Sequence, residues 1–342
     1  MPIYFEFLPH AGEAVVVQID DYRLLIDGGC SHPFNNAYDQ TTSMEAINAI
    51  LVTHIDKDHI EGVIQLLEED SEKLDSLETI IFNEPYTSNL FSANKTGLCS
   101  IGQGIKLAKL LMYRNKKSIY HVNDVCIDGC NLIILRPNIN LKIISPTQET
   151  LNILHKKWNW KDYTNESSLK NNITQTEDEF AEIEFLAKKR LEKDTSLPNK
   201  SSIVFILTVN NSKFLFMGDG HIDETINGLK SHGYNENNPL IVDFVKLSHH
   251  GSRKNISAEF LSIIKSNIYI ICQAYENQSK HPDRETIAKI AKFAQPKNIS
   301  DKIRIYLTKD KPKHLNFDKK TQEKYNFSIQ VIEEYYIQHE NL

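Results

Sequence analysis

The chain has 342 residues, of which 40% are hydrophobic, so a sizeable core is readily built and one large domain or two ordinary ones are allowed. The net charge of −6 excludes a general attraction for nucleic acid, and any polyanion must be bound locally. No apolar run approaches the roughly 18 residues that a membrane span needs, and residues 1–6 lack a basic region followed by a long apolar segment. We therefore expect a cytoplasmic protein without a membrane partner.

The five cysteines are odd in number and form no C-x-x-C pair, which argues against a disulfide framework. Reduced thiols are the expectation. Cys126 and Cys130 lack the second pair that a metal knuckle needs.

Apolar periodicity predicts two strand-rich halves. In the first half, residues 14–19 and 23–27 form a hairpin that turns at Asp20 and Asp21. The other strands of this half are expected near 3–8, 49–53, 79–82, 125–127, 132–135 and 141–144, with helices after His59 and at about 102–113. The second half is expected to hold strands at 203–208, 213–217, 242–247, 267–272 and 303–307, helices from Asp223, Ser257 and Asp283, and a closing edge strand within 328–337.

A segment at about 151–197 interrupts this pattern. Residues 158–172 are polar and contain Trp158 and Trp160, and a charged helical pattern follows over 177–193. The segment is interpreted as a lid or a partner surface, and the alternative is a small local core around the two tryptophans.

The densest group of candidate ligands follows the apolar run 49–52. Four potential metal ligands occupy six residues, in the order His54, Asp56, Asp58 and His59. Residues at i and i+2 do not share a helix face, so we expect a loop that curls around metal ions, with a helix leaving it after His59. Further ligands should come from distant strands, because one loop supplies too few for catalytic metals.

Two later strand ends offer such ligands. The strand 213–217 runs into Gly218 and Asp219, and the strand 242–247 runs into Ser248, His249 and His250. Chemistry in α/β folds gathers at the carboxyl ends of strands. Each end alone is compatible with an ordinary turn.

Five pieces of the chain, in this order, resemble the metallo-β-lactamase fold hydrolases, and among them the branch of the ComEC hydrolase domain. They are Gly12-Glu13-Ala14, Leu25-Ile26-Asp27-Gly28-Gly29, the stretch 53–59, Phe216-Met217-Gly218-Asp219 and Ser248-His249-His250-Gly251-Ser252. The resemblance implies an α/β fold, specifically an αββα sandwich of two mixed β-sheets flanked by helices. It also implies a single domain over residues 1–342 with an insertion at about 151–197.

The chain departs from the wider family at two positions. Asp56 stands where H-x-H-x-D-H has its second histidine, a change that the ComEC branch shares. A carboxylate there shifts the metal preference from zinc towards manganese or magnesium. The usual histidine ahead of Gly218 is replaced by Asn199 and Ser201.

The resemblance implies a centre with two divalent ions, Mn²⁺ or Mg²⁺ before Zn²⁺. His54 and Asp56 are assigned to one ion, Asp58 and His59 to the other, and Asp219 bridges them. His250 is a further ligand of the second ion, and His249 is either the true ligand in its place or a neighbour of the scissile group. Ions roughly 3.5–4 Å apart activate water as hydroxide and stabilise entering and leaving oxygens.

Three further residues are candidates for supporting roles. Asp27 orients His54 or a metal-bound water, or it caps the glycine turn that follows it. His281 protonates a leaving group or binds phosphate at the start of a helix, or has a capping or surface role. His221 approaches the metals. Catalytic roles are thus predicted for Asp58, His249 and His281.

The predicted function is a phosphodiesterase or nuclease acting on DNA or RNA, with a partner protein delivering the nucleic acid in a bacterial defence or DNA-processing system. The alternative is a small-molecule hydrolase such as a phosphorylcholine esterase or a lactone hydrolase, which the acidic charge favours. The candidate cations for a polyanion are Lys246, Arg253 and Lys254 near the histidine pair, and Lys106, Lys109, Arg114, Lys116 and Lys117 along a helix. The second group is equally an ordinary solvated helix face.

Overall fold

The computed structural model describes residues 2–8, 12–30, 46–69, 72–84, 99–114, 119–157, 182–274, 281–332 and 336–341. Within these ranges, no helix combines the length and apolar character needed to cross a membrane.

The first sheet is mixed and, within the described residues, has seven strands in the order β17-β1-β2-β3-β4-β5-β6. Its strands are β1 (Ile3–Phe7), β2 (Val15–Ile19), β3 (Tyr22–Ile26), β4 (Ala49–Leu51), β5 (Thr79–Ile81), β6 (Tyr120–Val122) and β17 (Tyr336–Gln338). β2 and β3 form the predicted antiparallel hairpin, with Asp20 at a φ of 52° in the turn. From β3 to β6 the neighbours are parallel, so their carboxyl ends lie at one edge of the sheet.

The second sheet is also mixed, and eight described strands build it in the order β16-β15-β14-β12-β10-β9-β8-β7. They are β7 (Leu132–Arg136), β8 (Ile139–Ser145), β9 (Val204–Val209), β10 (Ser212–Phe216), β12 (Phe244–Lys246), β14 (Ile268–Ile271), β15 (Ile303–Leu307) and β16 (Phe327–Val331). β10, β12, β14, β15 and β16 are parallel to their neighbours in this series. A small parallel pair joins β11 (Leu240–Ile241) to β13 (Ile264–Lys265).

Helices cover the outer faces of both sheets. They are α1 (Lys57–Glu68), α2 (Cys99–Arg114), α3 (Gln148–Lys157), α4 (Ile183–Ala187), α5 (Leu197–Lys200), α6 (Ile222–Ser231), α7 (Ala258–Ser262), α8 (Arg284–Phe293) and α9 (Lys319–Lys324). Apolar residues of α1 and α2 pack on the first sheet, and those of α4, α6, α7 and α8 pack on the second. The αββα sandwich of two mixed sheets predicted from the sequence is therefore confirmed.

The core between the sheets follows the two-residue alternation of strands. Ile3, Phe5 and Phe7 of β1 all face the interior. The ring of Phe5 meets the rings of Phe214 and Phe244 from the opposite sheet edge-on, each at 4.8 Å between centroids. Alternate residues such as Leu25 on β3 join the separate cluster beneath α1 and α2. Strands such as β3 therefore contribute to two cores.

Four predicted elements differ from the structure. β7 and β8 belong to the second sheet and not to the first half, because β8 pairs with β9. Residues 125–127 form no strand, since the backbone N–H and C=O of Val125 bind the side chain of Asn83. The predicted closing strand is two strands, with β16 at an edge of one sheet and β17 at an edge of the other.

The helix after the first motif also begins earlier than predicted. α1 starts at Lys57, so Asp58 and His59 lie in its first turn and not in a loop. Asp56 occupies the N-cap position with extended backbone, which places it outside the helix. The motif therefore combines a loop with a helical turn, and this separates the directions of its four side chains.

Candidate metal centre

Four loops bring the candidate ligands together, each following a strand. Asp27 follows β3 and His54 follows β4, and these two strands are parallel neighbours. Asp219 follows β10, and the two histidines 249 and 250 follow β12, which is the parallel neighbour of β10. Parallel neighbours end at the same edge, and the two facing edges enclose the site.

His54, His59 and Asp219 form the centre of this site. All three are buried, and their ligand atoms lie within 4.8 Å of one another. The His59 Nε2 atom is 3.3 Å from Asp219 Oδ1, and the His54 Nε2 atom is 3.9 Å from Asp219 Oδ2. Within the described residues, neither Nε2 atom nor Asp219 Oδ1 has a hydrogen-bond partner. Buried polar atoms are rarely left unpaired, so three that converge fit a cation.

Asp27 contacts His59 directly, and it reaches His54, the predicted partner, through Thr53. Its Oδ2 atom lies 2.7 Å from His59 Nδ1, and its Oδ1 atom accepts the backbone N–H of Thr53 at 2.7 Å. The Thr53 hydroxyl donates to the same carboxylate at 2.8 Å. A proton held on Nδ1 leaves the Nε2 lone pair of His59 free for a metal.

His54 is held by two hydroxyl groups. Its Nδ1 atom lies 3.2 Å from Thr53 Oγ1 and 3.4 Å from Ser202 Oγ. The Ser202 hydroxyl also accepts the backbone N–H of Asp219 at 3.0 Å. Gly218 permits this approach, because it has a φ of 46° and any Cβ on it would collide with Ser202 Oγ. Thr53 and Ser202 were not predicted, since nothing local marks a hydroxyl as a partner of a distant histidine.

Asp58 and His250 form a second pair at the site. The His250 Nε2 atom is 2.9 Å from Asp58 Oδ2. His250 has a φ of 52°, a left-handed conformation that is uncommon outside glycine and turns its ring inward. Asp56 lies 3.7 Å from His54 Nε2 through its Oδ2 atom, and its side chain is 28% exposed. These residues are therefore gathered beside the central three.

His249 stands at the rim, on the other side of Asp219. Its Nε2 atom is 3.9 Å from Asp219 Oδ2, and its Nδ1 atom is 3.3 Å from Asp194 Oδ2. Asp194 also accepts a hydrogen bond from the Asn199 side chain at 2.9 Å. Asp194 was missed by the sequence interpretation, because it lies in the segment that was set aside as an insertion.

The residues proposed in place of the missing histidine take different positions. Asn199 is buried beside Asp194 and His249. The hydroxyl of Ser201 donates to Pro198 O at 2.7 Å, within the short helix α5, so Ser201 supplies nothing to the site. Its neighbour Ser202 is the one that contacts His54.

His281 lies near the site, and His221 lies behind it. The ring of His281 is 5.5 Å from that of His249 between centroids, and its Nδ1 atom is 3.1 Å from Asp283 Oδ2. The Nε2 atom of His221 lies 3.7 Å from Asp194 Oδ1. Among its described contacts, His221 therefore reaches the metal centre through Asp194.

Charge interactions shift the pKa values of Asp219 and His250 against the effect of burial. Burial alone would raise the pKa of Asp219, but the attraction of His249 and His59 holds that pKa well below its usual range. Burial alone would lower the pKa of His250. The carboxylates of Asp58 and Glu13 beside the ring outweigh burial and raise that pKa to about 10. The lowered pKa of Asp219 suits a cation site, because the ionised carboxylate is the form that binds a cation.

The donor set fits divalent ions. Imidazole nitrogens and carboxylate oxygens accommodate zinc, manganese and iron, and carboxylates in place of imidazoles favour harder ions. The residues that would hold such ions are His54, His59, Asp219, Asp58, His250 and Asp56.

Three of the cations predicted to bind a polyanion form ion pairs within the protein. Lys246 is buried and forms an ion pair with Glu13, which corrects its assignment to a surface that binds nucleic acid. Arg253 lies 3.3 Å from Glu192, and Lys106 lies 2.8 Å from Glu68. Lys116, Lys117, Trp158 and Trp160 lie outside the described residues, as does the side chain of Arg114. Of the predicted helix over 177–193, the described part contains α4 at Ile183–Ala187, and residues 188–193 are not helical.

A family model described as "Anti-Pycsar protein Apyc1" matches residues 10–141, which is less than half of the chain. No curated protein matches the sequence significantly.

Several solved structures are distantly similar to this chain. The metallo-β-lactamase fold protein YhfI from Bacillus subtilis has 11% identity and a TM-score of 0.43, over 97% of this chain and 95% of its own. The human short form of tRNase Z has 12% identity and a TM-score of 0.43, over 80% and 93%. Zinc-bound PqqB from Methylobacterium extorquens has 10% identity and a TM-score of 0.42, over 86% and 97%. These likenesses are too distant to assign a reaction.

Proposed function

We propose that this protein is a metal-dependent hydrolase that cleaves phosphodiesters. The observation that carries the proposal is the convergence of three buried ligand atoms without hydrogen-bond partners, on His54, His59 and Asp219. The Asp58 and His250 pair beside them supplies two further donors. The match to a family described as an anti-Pycsar protein fits a phosphodiesterase.

Bound divalent ions would polarise a phosphoryl oxygen and activate water for in-line attack. Asp27 and Thr53 hold the rings of His59 and His54, which fixes where the donors point before substrate arrives. His249 lies at the rim with Asp194 behind it, where its Nε2 atom can donate a hydrogen bond to a phosphoryl or leaving oxygen. His281 is close enough to line the same opening.

We also propose that the diester is part of DNA or RNA and that the chain groups with the ComEC branch. Its support is the H-x-D-x-D-H spacing from His54 to His59, in which Asp56 replaces a histidine. Delivery by a partner protein in a bacterial defence or DNA-processing system would compensate for the acidic net charge of −6.

One observation favours a small-molecule substrate instead. Lys246 is buried against Glu13 and so does not reach substrate phosphates, and the charge of Arg253 is partly compensated by Glu192. Binding of a polynucleotide draws much of its affinity from such contacts. A small diester needs only the metal centre and a few hydrogen bonds.

A substrate screen separates these alternatives. Wild type and Asp58→Ala are incubated with Mn²⁺ and single-stranded DNA, duplex DNA, RNA or bis(p-nitrophenyl) phosphate. Asp75→Ala removes an exposed carboxylate and serves as the control. Cleavage of a nucleic acid that Asp58→Ala lacks supports the nuclease, and turnover of the small diester alone supports the small-molecule enzyme. Inactivity on all four, with metal bound, contradicts an unaided phosphodiesterase.

A further inference from the structure

Beneath His250 lies an ion pair that the proposed reaction leaves unexplained. Glu13 and Lys246 contact each other, with exposures of 2% and 3%. Removing two charges from water costs several kcal/mol per ion, on the order of what their attraction returns. An apolar pair of similar size would fill the same space, so the pair calls for a role besides packing.

The geometry around His250 suggests that role. The Nδ1 atom of His250 donates to the backbone oxygen of Cys272 at 3.0 Å, and the buried Glu13 Oε1 atom, which has no hydrogen-bond partner among the described residues, lies 3.0 Å from the same Nδ1. Both neighbours are acceptors, so a His250 ring that offers its Nε2 lone pair to a metal keeps its proton on Nδ1. The opposite atom, Nε2, faces Asp58 at 2.9 Å.

The two charged residues come from different sheets. Glu13 precedes β2 of the first sheet, and Lys246 ends β12 of the second, four residues before His250. The Lys246 ammonium contacts the Glu13 carboxylate and compensates its buried negative charge. An ionised carboxylate is a stronger acceptor than a neutral group.

We propose that Glu13, fixed by Lys246, is the positioning residue for His250 and presents the Nε2 atom of that ring to the metal centre. The inference rests on the proposed function, because it takes His250 as a ligand. Partners of this kind commonly change metal affinity by about 10–100-fold when they are removed. The motif Gly12-Glu13-Ala14 has no part in the proposed reaction, and this inference gives its glutamate a role.

The test removes the pair without leaving a lone buried charge. Glu13→Gln alone leaves Lys246 unpaired, so the informative variant is Glu13→Gln with Lys246→Met. Its control is Glu285→Gln with Lys289→Met, which removes another buried pair, 2.7 Å apart, within α8. Mn²⁺ affinity is measured by isothermal titration calorimetry, and folding is checked by thermal unfolding.

We expect the first double variant to bind the metal about 10–100-fold more weakly, and the control to bind it as wild type does. A first double variant that folds and retains wild-type affinity would overturn the inference. If wild type itself binds no metal, the proposed function fails, which is a distinct result.

A second measurement needs no variant. In metal-loaded wild type labelled with ¹⁵N-histidine, His250 is expected to show a protonated Nδ1 and a metal-shifted Nε2. A proton on Nε2 with metal on Nδ1, or a His250 signal that metal leaves unchanged, would contradict the positioning role even if the double variant failed to fold.

Discussion

Asp27 binds His59 across 32 residues of sequence, with 2.7 Å between Asp27 Oδ2 and His59 Nδ1. The carboxylate is itself fixed by the backbone N–H and the hydroxyl of Thr53, so it has little freedom to turn. Because Thr53 also contacts His54, Asp27 helps to fix the Nδ1 sides of two candidate ligand rings, those of His59 and His54. Precision of this kind is what a catalytic metal site requires.

Asp27→Asn should weaken Mn²⁺ binding by about 10–100-fold, because the amide has one acceptor oxygen for the three donors that the carboxylate now serves. Asparagine tolerates the φ of 56° at this position, so the backbone should not change. Titration calorimetry measures the affinity. Asp20→Asn, at a φ of 52° in the exposed hairpin turn, is the matched control and should bind as wild type does.

Asp219→Asn should abolish hydrolysis while the far-ultraviolet circular dichroism stays that of wild type. The substitution keeps the side-chain size and removes the charge that faces His54 and His59, so the loss falls on metal binding. Asp223→Asn alters a half-exposed carboxylate four residues away and should remain active. Near-normal turnover of Asp219→Asn with full metal content would show that Asp219 is not a ligand.

Variants of the histidine pair should behave differently. His250→Ala should lose metal, because His250 is buried with its Nε2 atom at the centre. His249→Ala should retain metal and lose about 10²-fold in kcat, since His249 lies at the rim against Asp194. The metal content of each variant is measured by mass spectrometry, and kcat is measured by steady-state kinetics. Metal loss in His249→Ala alone would reverse the two roles.

Manganese or magnesium should support higher activity than zinc. Asp56, Asp58 and Asp219 place hard oxygens around two imidazoles, and such sets favour harder ions. The check is metal analysis of the purified protein together with activity after chelation and reconstitution. Tightly bound stoichiometric zinc, with no stimulation of activity by manganese, would contradict this prediction.

The buried carboxyl of Glu6 should make stability depend on pH. Burial raises the pKa of Glu6 to about 7 from 4.5, and the attraction of Arg23 and Lys73 offsets only part of it. The folded state therefore binds the proton more tightly, so stability falls as pH rises from about 4.5 to about 7. Relative to wild type, Glu6→Gln should gain up to about 3 kcal/mol between pH 4.5 and pH 8. Urea unfolding at both pH values measures this, and a pH-independent difference would contradict it.

Much of the fold could be predicted because its signals are local. The two-residue alternation of β1 and the turn at Asp20 announce themselves within a few residues, and the ligand-rich stretch from His54 to His59 follows directly on a buried strand. These patterns also predicted that the strand ends would carry the candidate ligands. The early start of α1 was missed because a helix boundary depends on one or two residues.

The partners of each ligand could not be predicted in this way. Ser202 contacts His54 across 148 residues, and Asp58 contacts His250 across 192. Glu13 and Lys246 likewise meet only because the two sheets face each other. Such contacts depend on the packing of one sheet against the other, and no local spacing of residues encodes that packing. The amino-acid order thus specified which chemical groups were available, and the folded arrangement selected which of them orient the candidate ligands.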